Sequence, residues 1–204
     1  MRIIALLLIW AITASAGQFD KVKITPEIAY IYVYHKGKAV KVHRIQNTKH
    51  KISGEYARIY RPGKDIQPIK MHNDVQTIGE VELLHFMKYK GNKKKGLLVD
   101  VRPKRAYKRE SIPSAVNIPS SVKDNPAKIK KIFKVLGVKT NADNSLNTSK
   151  VMDVAFYCNG LWCDQSSEFI KVFLEAGYPA EKIFYYRGGF QMWKILGFTT
   201  VANQ

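Results

Sequence analysis

One pattern constrains this chain more than any other. In its second half, short apolar runs alternate with segments of helical periodicity. Leu97–Val101 is apolar except for Asp100, Val151–Tyr157 and Ile183–Tyr186 are of the same kind, and Ala115–Ile118 is a shorter run. A strand covered on both faces reads this way, because neither side of its pleat meets water. Between the runs, Ile129, Ile132, Phe133 and Leu136 recur at helical spacing after Asn125-Pro126, a capping residue followed by proline at the first position, and Gly137 stops them. Phe169, Val172, Phe173 and Ala176 repeat the device ahead of Gly177, and Phe190, Trp193 and Leu196 follow Arg187-Gly188-Gly189. Strands alternating with helices predict an α/β fold, a parallel sheet flanked by helices.

Upstream the pattern differs. Tyr30–His35 and Lys38–Ile45 alternate apolar with polar around Lys36-Gly37, with Ile31, Val33, Val40 and Val42 on one face, which predicts a β-hairpin. Ile52–Met71 is strand-like but broken by Gly54, Pro62-Gly63 and Pro68. Residues 17–76 therefore read as a small β-rich extension, too small to bury a core alone and expected to pack on the larger domain downstream. Residues 77–204 form that main domain. Thr77-Ile78-Gly79-Glu80 has the form of a capping box for a helix whose stripe is Val81, Leu84 and Met87 and which Gly91 ends. Lys139–Lys150, with Asn141, Asn144 and Asn147, reads as a polar surface loop.

Met1–Ala16 has the layout of an export signal: Arg2, the apolar run Ile3–Ile12, then Ala14-Ser15-Ala16. The apolar run reaches about halfway across a bilayer core, so no membrane span is expected to remain after cleavage near Gly17. The reading is of an exported chain, periplasmic or secreted. Lys and Arg outnumber Asp and Glu by 34 to 16, and a surface of that sign attracts anions. The cations are spread along the chain without a nucleic-acid motif, and export argues against such a partner, so a solvated basic surface that gathers small anions is expected, with no limit on whether a further partner is a small molecule or a protein. His35, His43, His50, His72 and His85 show no metal-ligand spacing, no phosphate-binding Gly-Lys-Ser loop is present, and no cofactor is implied.

Export also bears on Cys158 and Cys163, the chain's two cysteines. In an oxidising compartment their retention points to a mutual disulfide or to chemistry that uses sulfur. Cys158 directly follows an expected strand, at the end where ligands of open parallel sheets bind. The next helix should start near Ser166 or Ser167, either of which has a capping side chain. The intervening loop, Asn159, Gly160, Leu161, Trp162 and Cys163, is expected to curl, with amides and a helix start that favour an anion and a thiolate. The bland alternative is a buried structural cysteine at a strand end.

Several blocks, taken in order, resemble a rhodanese domain: Leu97–Pro103, Ser111–Pro119, Phe156-Tyr157-Cys158, Leu174–Tyr178 and Arg187–Trp193. The similarity spans roughly Thr77–Val201. Ile66-Gln67-Pro68-Ile69 and Thr77–Leu84 also look like parts of exported single-rhodanese proteins, a weaker likeness. The resemblance implies a sulfurtransferase. Cys158 would take the outer sulfur of a small anionic donor such as thiosulfate, hold it as a persulfide and pass it to a thiol or other nucleophilic acceptor, while Asn159–Cys163 cradle it. Three features depart from the family pattern: no Arg closes the loop, which is longer than usual; Asp164 brings a negative charge; and Cys163 lies five positions after Cys158, a candidate resolving thiol if their sulfurs meet. Two rivals remain open, a thiol–disulfide redox module of Cys158 and Cys163 and a non-catalytic binding module on the same scaffold. Asp100 and Arg102 end the first parallel strand, either as groups at a pocket mouth or as a structural ion pair. Trp162 either walls the pocket or docks on the extension.

Overall fold

The computed structural model describes residues 22–25, 27–47, 49–52, 54–58, 63 and 65–203. The expected export segment, Met1–Ala16, and Pro62 lie outside the described residues. In chain order the elements are β1 (Tyr30–His35), β2 (Lys38–His43), a 3-10 turn at Gly54–Ala57, β3 (Gln76–Ile78), α1 (Glu80–Phe86), which widens into a π turn over Met87–Gly91, β4 (Gly96–Asp100), α2 (Lys104–Arg109), β5 (Val116–Asn117), α3 (Pro126–Val135), β6 (Lys139–Thr140), β7 (Leu146–Asn147), β8 (Asp153–Tyr157), α4 (Gln165–Glu175), β9 (Ile183–Tyr186) and α5 (Gly189–Ile195).

The main sheet has the order β3-β9-β8-β4-β5, with every pairing parallel. β8 is buried at every residue, as the apolar run Val154–Tyr157 requires, and Asp153 at its start is paired with Lys90 and Lys182. On one face, Leu98, Ala155, Tyr157 and Tyr186 pack with Leu83, Leu84 and Met87 of the α1 segment and with Phe190 and Trp193 of α5. On the other, Val99, Val154, Phe156 and Ile183 pack with Ile129 and Phe133 of α3 and with Phe169, Ile170 and Phe173 of α4. Asn125 caps α3 as expected, its side-chain oxygen accepting the Lys128 amide at 3.0 Å.

The hairpin forms in the expected register, Val33 opposite Val40 and Ile31 opposite Val42. Lys36 and Gly37 both have positive φ, 48° and 75°, the turn geometry that matches strand twist. Its inner residues Ile31, Val33 and Val42, together with Tyr56, join the α1–α5 side of the core, so the hairpin packs on that face of the sheet.

Four local expectations need correction. The box at the start of α1 is two residues later: the Gly79 N–H donates to the Glu82 carboxylate at 3.0 Å. Thr77 belongs to β3, where its hydroxyl donates to the Ile69 carbonyl. Val81 is exposed and Leu83 takes the inward place beside Leu84 and Met87, because successive steps of three residues drift off one helix face. Among the described residues of 52–71 there is no strand, only the 3-10 turn, consistent with the glycine and proline breaks. Within 139–150 the polar loop carries the small antiparallel pair β6–β7.

Candidate active site

β8 delivers Cys158 to the carboxyl edge of the sheet, and α4 begins at Gln165 with Asp164 in the capping position. Ser166 and Ser167 lie inside the helix rather than at its cap; the Ser167 hydroxyl donates back to the Asp164 carbonyl at 2.6 Å. The loop curls because the Cys163 N–H donates to the Gly160 carbonyl at 3.0 Å. That amide is therefore turned inward, which corrects the expectation that Cys163 offers its N–H to a bound anion. Asp164 is exposed.

The turn into α5 locks onto this loop. The Phe190 and Gln191 amides donate to the carbonyls of Cys158 at 2.9 Å and Asn159 at 2.8 Å. Gly189 makes the approach possible. It has φ of 61°, and a Cβ there would meet the Cys158 carbonyl oxygen and the Gly160 nitrogen, both at 2.7 Å. No side chain fits against backbone at that separation.

Cys158 and Cys163 are joined by a disulfide, their Cα atoms 6.2 Å apart. Both are buried, at 2% and 3% exposure. The Gln165 side-chain oxygen lies 3.3 Å from the Cys158 sulfur and 3.8 Å from that of Cys163. Asn159 Nδ2 donates toward the Cys163 sulfur at 3.9 Å. Trp162 is half-buried beside α4 and α5, its indole N–H donating to Gln191 Oε1 at 3.2 Å.

The extension covers the loop directly. Tyr56 donates its hydroxyl to Asn159 Oδ1 at 3.1 Å and accepts from Arg102 Nη1 at 2.8 Å. The Gln67 amide donates to the Leu161 carbonyl at 2.8 Å, and its side-chain oxygen lies 3.0 Å from the Ser167 hydroxyl. Arg187 Nε donates to the Gln67 carbonyl at 2.8 Å, and Gln191 Nε2 to the Arg58 carbonyl at 2.5 Å. A cleft of about 270 Å³ opens beside this strap, lined by Ile69, Leu161 and Arg187 among others, and neither sulfur lines it.

Asp100 and Arg102 do not reach a pocket mouth. Both are fully buried. Arg102 Nε donates to Asp100 Oδ1 at 2.9 Å and Nη2 to Oδ2 at 2.6 Å. The Tyr157 hydroxyl donates to Asp100 at 2.7 Å. Burial works against the guanidinium charge, but its hydrogen bonds to Asp100 and the neighbouring negative charge outweigh that and raise its pKa above the ordinary value. Burial, followed by the Asp100 charge, pushes the Tyr157 hydroxyl well above the ordinary tyrosine range. Arg102 links the pair to the loop through Tyr56, whose hydroxyl it bonds and which donates to Asn159.

Tyr56, Gln67, Gln165 and Gln191 carry much of this geometry and were not singled out by sequence reasoning. Gln67 and Gln191 sit inside blocks that carried the family likeness, so a signal existed for them; for Tyr56 and Gln165 none did.

The family model described as “Rhodanese-like domain” matches residues 85–196. The chain belongs to the rhodanese-like family. No curated protein sequence matches it. Among solved structures, the rhodanese-like fold is similar to a protein from Bacillus halodurans at 22% identity, covering 63% of this chain and 77% of that one, with a TM-score of 0.47. It is also similar to thiosulfate sulfurtransferase from Pseudomonas aeruginosa at 17% identity, covering 64% of this chain but 21% of that one, with a TM-score of 0.46. A rhodanese with anions from E. coli shares 24% identity over 53% of this chain and 99% of its own, with a TM-score of 0.35.

Proposed function

We propose that this rhodanese-like protein is a two-cysteine sulfurtransferase that acts after export, in a periplasm or outside the cell, on a small anionic sulfane-sulfur donor. The observation that carries the reading is the meeting of the Cys158 and Cys163 sulfurs at the carboxyl end of the central strand of this sheet. In the reduced chain, Cys158 thiolate attacks the outer sulfur of thiosulfate. The S–S bond of the donor breaks, sulfite leaves with its electron pair, and Cys158 holds a persulfide. Splitting the transfer into two displacements is covalent catalysis. The persulfide then has two fates: an external thiol or other nucleophile takes the outer sulfur, or Cys163 thiolate attacks Cys158 Sγ, forming the disulfide and expelling hydrosulfide. An external dithiol restores both thiols after the second route. Because both sulfurs are buried in a loop bonded to Tyr56 and Gln67, the donor enters when the reduced loop opens.

A second reading, dithiol–disulfide exchange without sulfur transfer, is favoured by the disulfide itself. One experiment separates the two. The pre-reduced protein is mixed with thiosulfate in a single turnover, and sulfite and sulfide are quantified. Sulfur transfer predicts both products, equimolar with protein; Cys158→Ser makes neither, and Cys163→Ser makes sulfite without sulfide. If the parent yields no sulfite, the proposal fails; the redox reading then predicts turnover with a disulfide substrate, and the binding-module reading predicts none.

A further inference from the structure

The hairpin's outer face has no role in the cysteine site, and its composition is unusual. Tyr30, Tyr32 and Tyr34 alternate along β1 on the side away from the core, with exposures of 45%, 54% and 61%. Across the ladder they face His43, Lys41 and Ala39. No Asp or Glu occurs from Ile28 to Gly54 or from Leu83 to Val99. The fold brings these two acid-free stretches side by side: Asn92 Nδ2 donates to the Tyr32 carbonyl at 2.8 Å, and Asn92 Oδ1 accepts the Tyr34 amide at 3.2 Å. This occupies one carbonyl and one amide in the middle of the free edge of β1 and sets the exposed Lys93 and Lys94 next to the tyrosines.

We propose that this tyrosine-and-lysine face docks the protein on an anionic lipid surface. Tyrosine has an apolar body and a polar tip, the combination that settles at a membrane–water boundary. Flanking lysines add attraction to anionic headgroups. The ring arrangement favours lipid over single-stranded nucleic acid. Lys41 Nζ sits 4.0 Å from the Tyr30 ring centroid, and Tyr30 meets Tyr32 edge to face at 5.5 Å. Bases need open, parallel ring faces to stack on, whereas an interface accepts rings edge-on. A second copy of the chain is disfavoured because the same cations would face each other. The edge of β1 is already bonded by Asn92, so addition of a partner strand is disfavoured as well.

The test is co-sedimentation of the full chain with vesicles of phosphatidylglycerol and phosphatidylethanolamine, beside vesicles of a neutral lipid alone. The parent, Tyr32→Ser/Tyr34→Ser and Lys93→Glu/Lys94→Glu are compared, with circular dichroism confirming that each folds. The parent should bind the anionic vesicles more weakly as salt rises. Losing the two tyrosines should weaken partitioning by about tenfold or more even at low salt. Each lysine reversal changes the charge by two units and should cost about tenfold or more. Binding of both variants equal to the parent's overturns the proposal, since attachment would then come from elsewhere in the chain. So does an absence of vesicle binding, whether or not the parent shifts single-stranded nucleic acid or an acidic polypeptide instead.

Discussion

Replacing Arg102 by Met tests the buried architecture beneath the loop most sharply. The guanidinium is fully buried and gives hydrogen bonds to both Asp100 oxygens, to the Tyr56 hydroxyl and to the Glu110 carbonyl. It also stacks 4.1 Å from the Phe190 ring centroid. Methionine preserves much of the packing but leaves Asp100 with the Tyr157 hydroxyl and the Arg102 backbone amide as its remaining hydrogen-bond donors. Breaking one side of a buried ion pair costs about 3–5 kcal/mol. For a chain of this size that corresponds to a fall in Tm of roughly 10 °C. Urea unfolding followed by tryptophan fluorescence measures it, and Asp100→Asn and the double variant complete the cycle. Removing both charges should cost clearly less than the two single losses added together, because neither group is then left uncompensated. A loss below about 1 kcal/mol for Arg102→Met, or strict additivity, refutes the ion-pair account.

The remaining predictions probe the loop and its surroundings. Tyr56→Phe keeps the ring contact with Phe190 but removes the hydroxyl that orients Asn159; alkylation of Cys163 in the reduced protein should slow about threefold near neutral pH, the worth of one modest hydrogen bond, while unchanged rates contradict that orienting role. Gly189→Ala should destabilise by about 2 kcal/mol or more and speed reduction of the disulfide, whereas Gly37→Ala, with positive φ but nothing near its Cβ position, should cost only about 1 kcal/mol; equal costs would show that contact with the loop backbone is irrelevant. At Glu110, burial opposes ionisation, but Lys194 at 2.6 Å and Thr200 outweigh it and hold the carboxyl below its ordinary value. Its contribution is therefore present above the unfolded pKa and lost as pH falls through the folded one, so the stability difference between parent and Glu110→Gln should shrink from about pH 7 to about pH 3, and a constant difference contradicts the assignment. His35 is buried, and that lowers its pKa from 6.5 despite the hydrogen bond to Asn203; its ring signals should titrate below that value in NMR.

The layered sheet was legible because buried parallel strands are long enough to leave apolar runs with a single aspartate each, as at Leu97–Val101 and Val151–Tyr157. β3 was not, since three residues carry no periodicity and Thr77 mimicked a cap. The cysteine loop was legible at the carboxyl edge of the sheet because Cys158 directly follows the apolar run Val154–Tyr157. Its cover was invisible: Tyr56 and Gln67 reach the loop across about a hundred positions of sequence, and no local pattern encodes such a contact. The inward turn of the Cys163 amide was equally unreadable, because it depends on a backbone path that many loop sequences share. Asp100 and Arg102, two residues apart at a strand end, suited a pocket or a core pair equally well; the Tyr157 hydroxyl and Asn117, which decide for the core, come from other strands.

The central claim is that sulfur is carried on Cys158 and displaced by Cys163. Intact-protein mass after brief exposure of the reduced chain to thiosulfate tests it most directly. Cys163→Ser should gain the mass of one sulfur atom, Cys158→Ser should gain nothing, and the parent should return two hydrogens lighter as the disulfide. A Cys163→Ser protein that gains no sulfur, or a Cys158→Ser protein that gains as much, would contradict it.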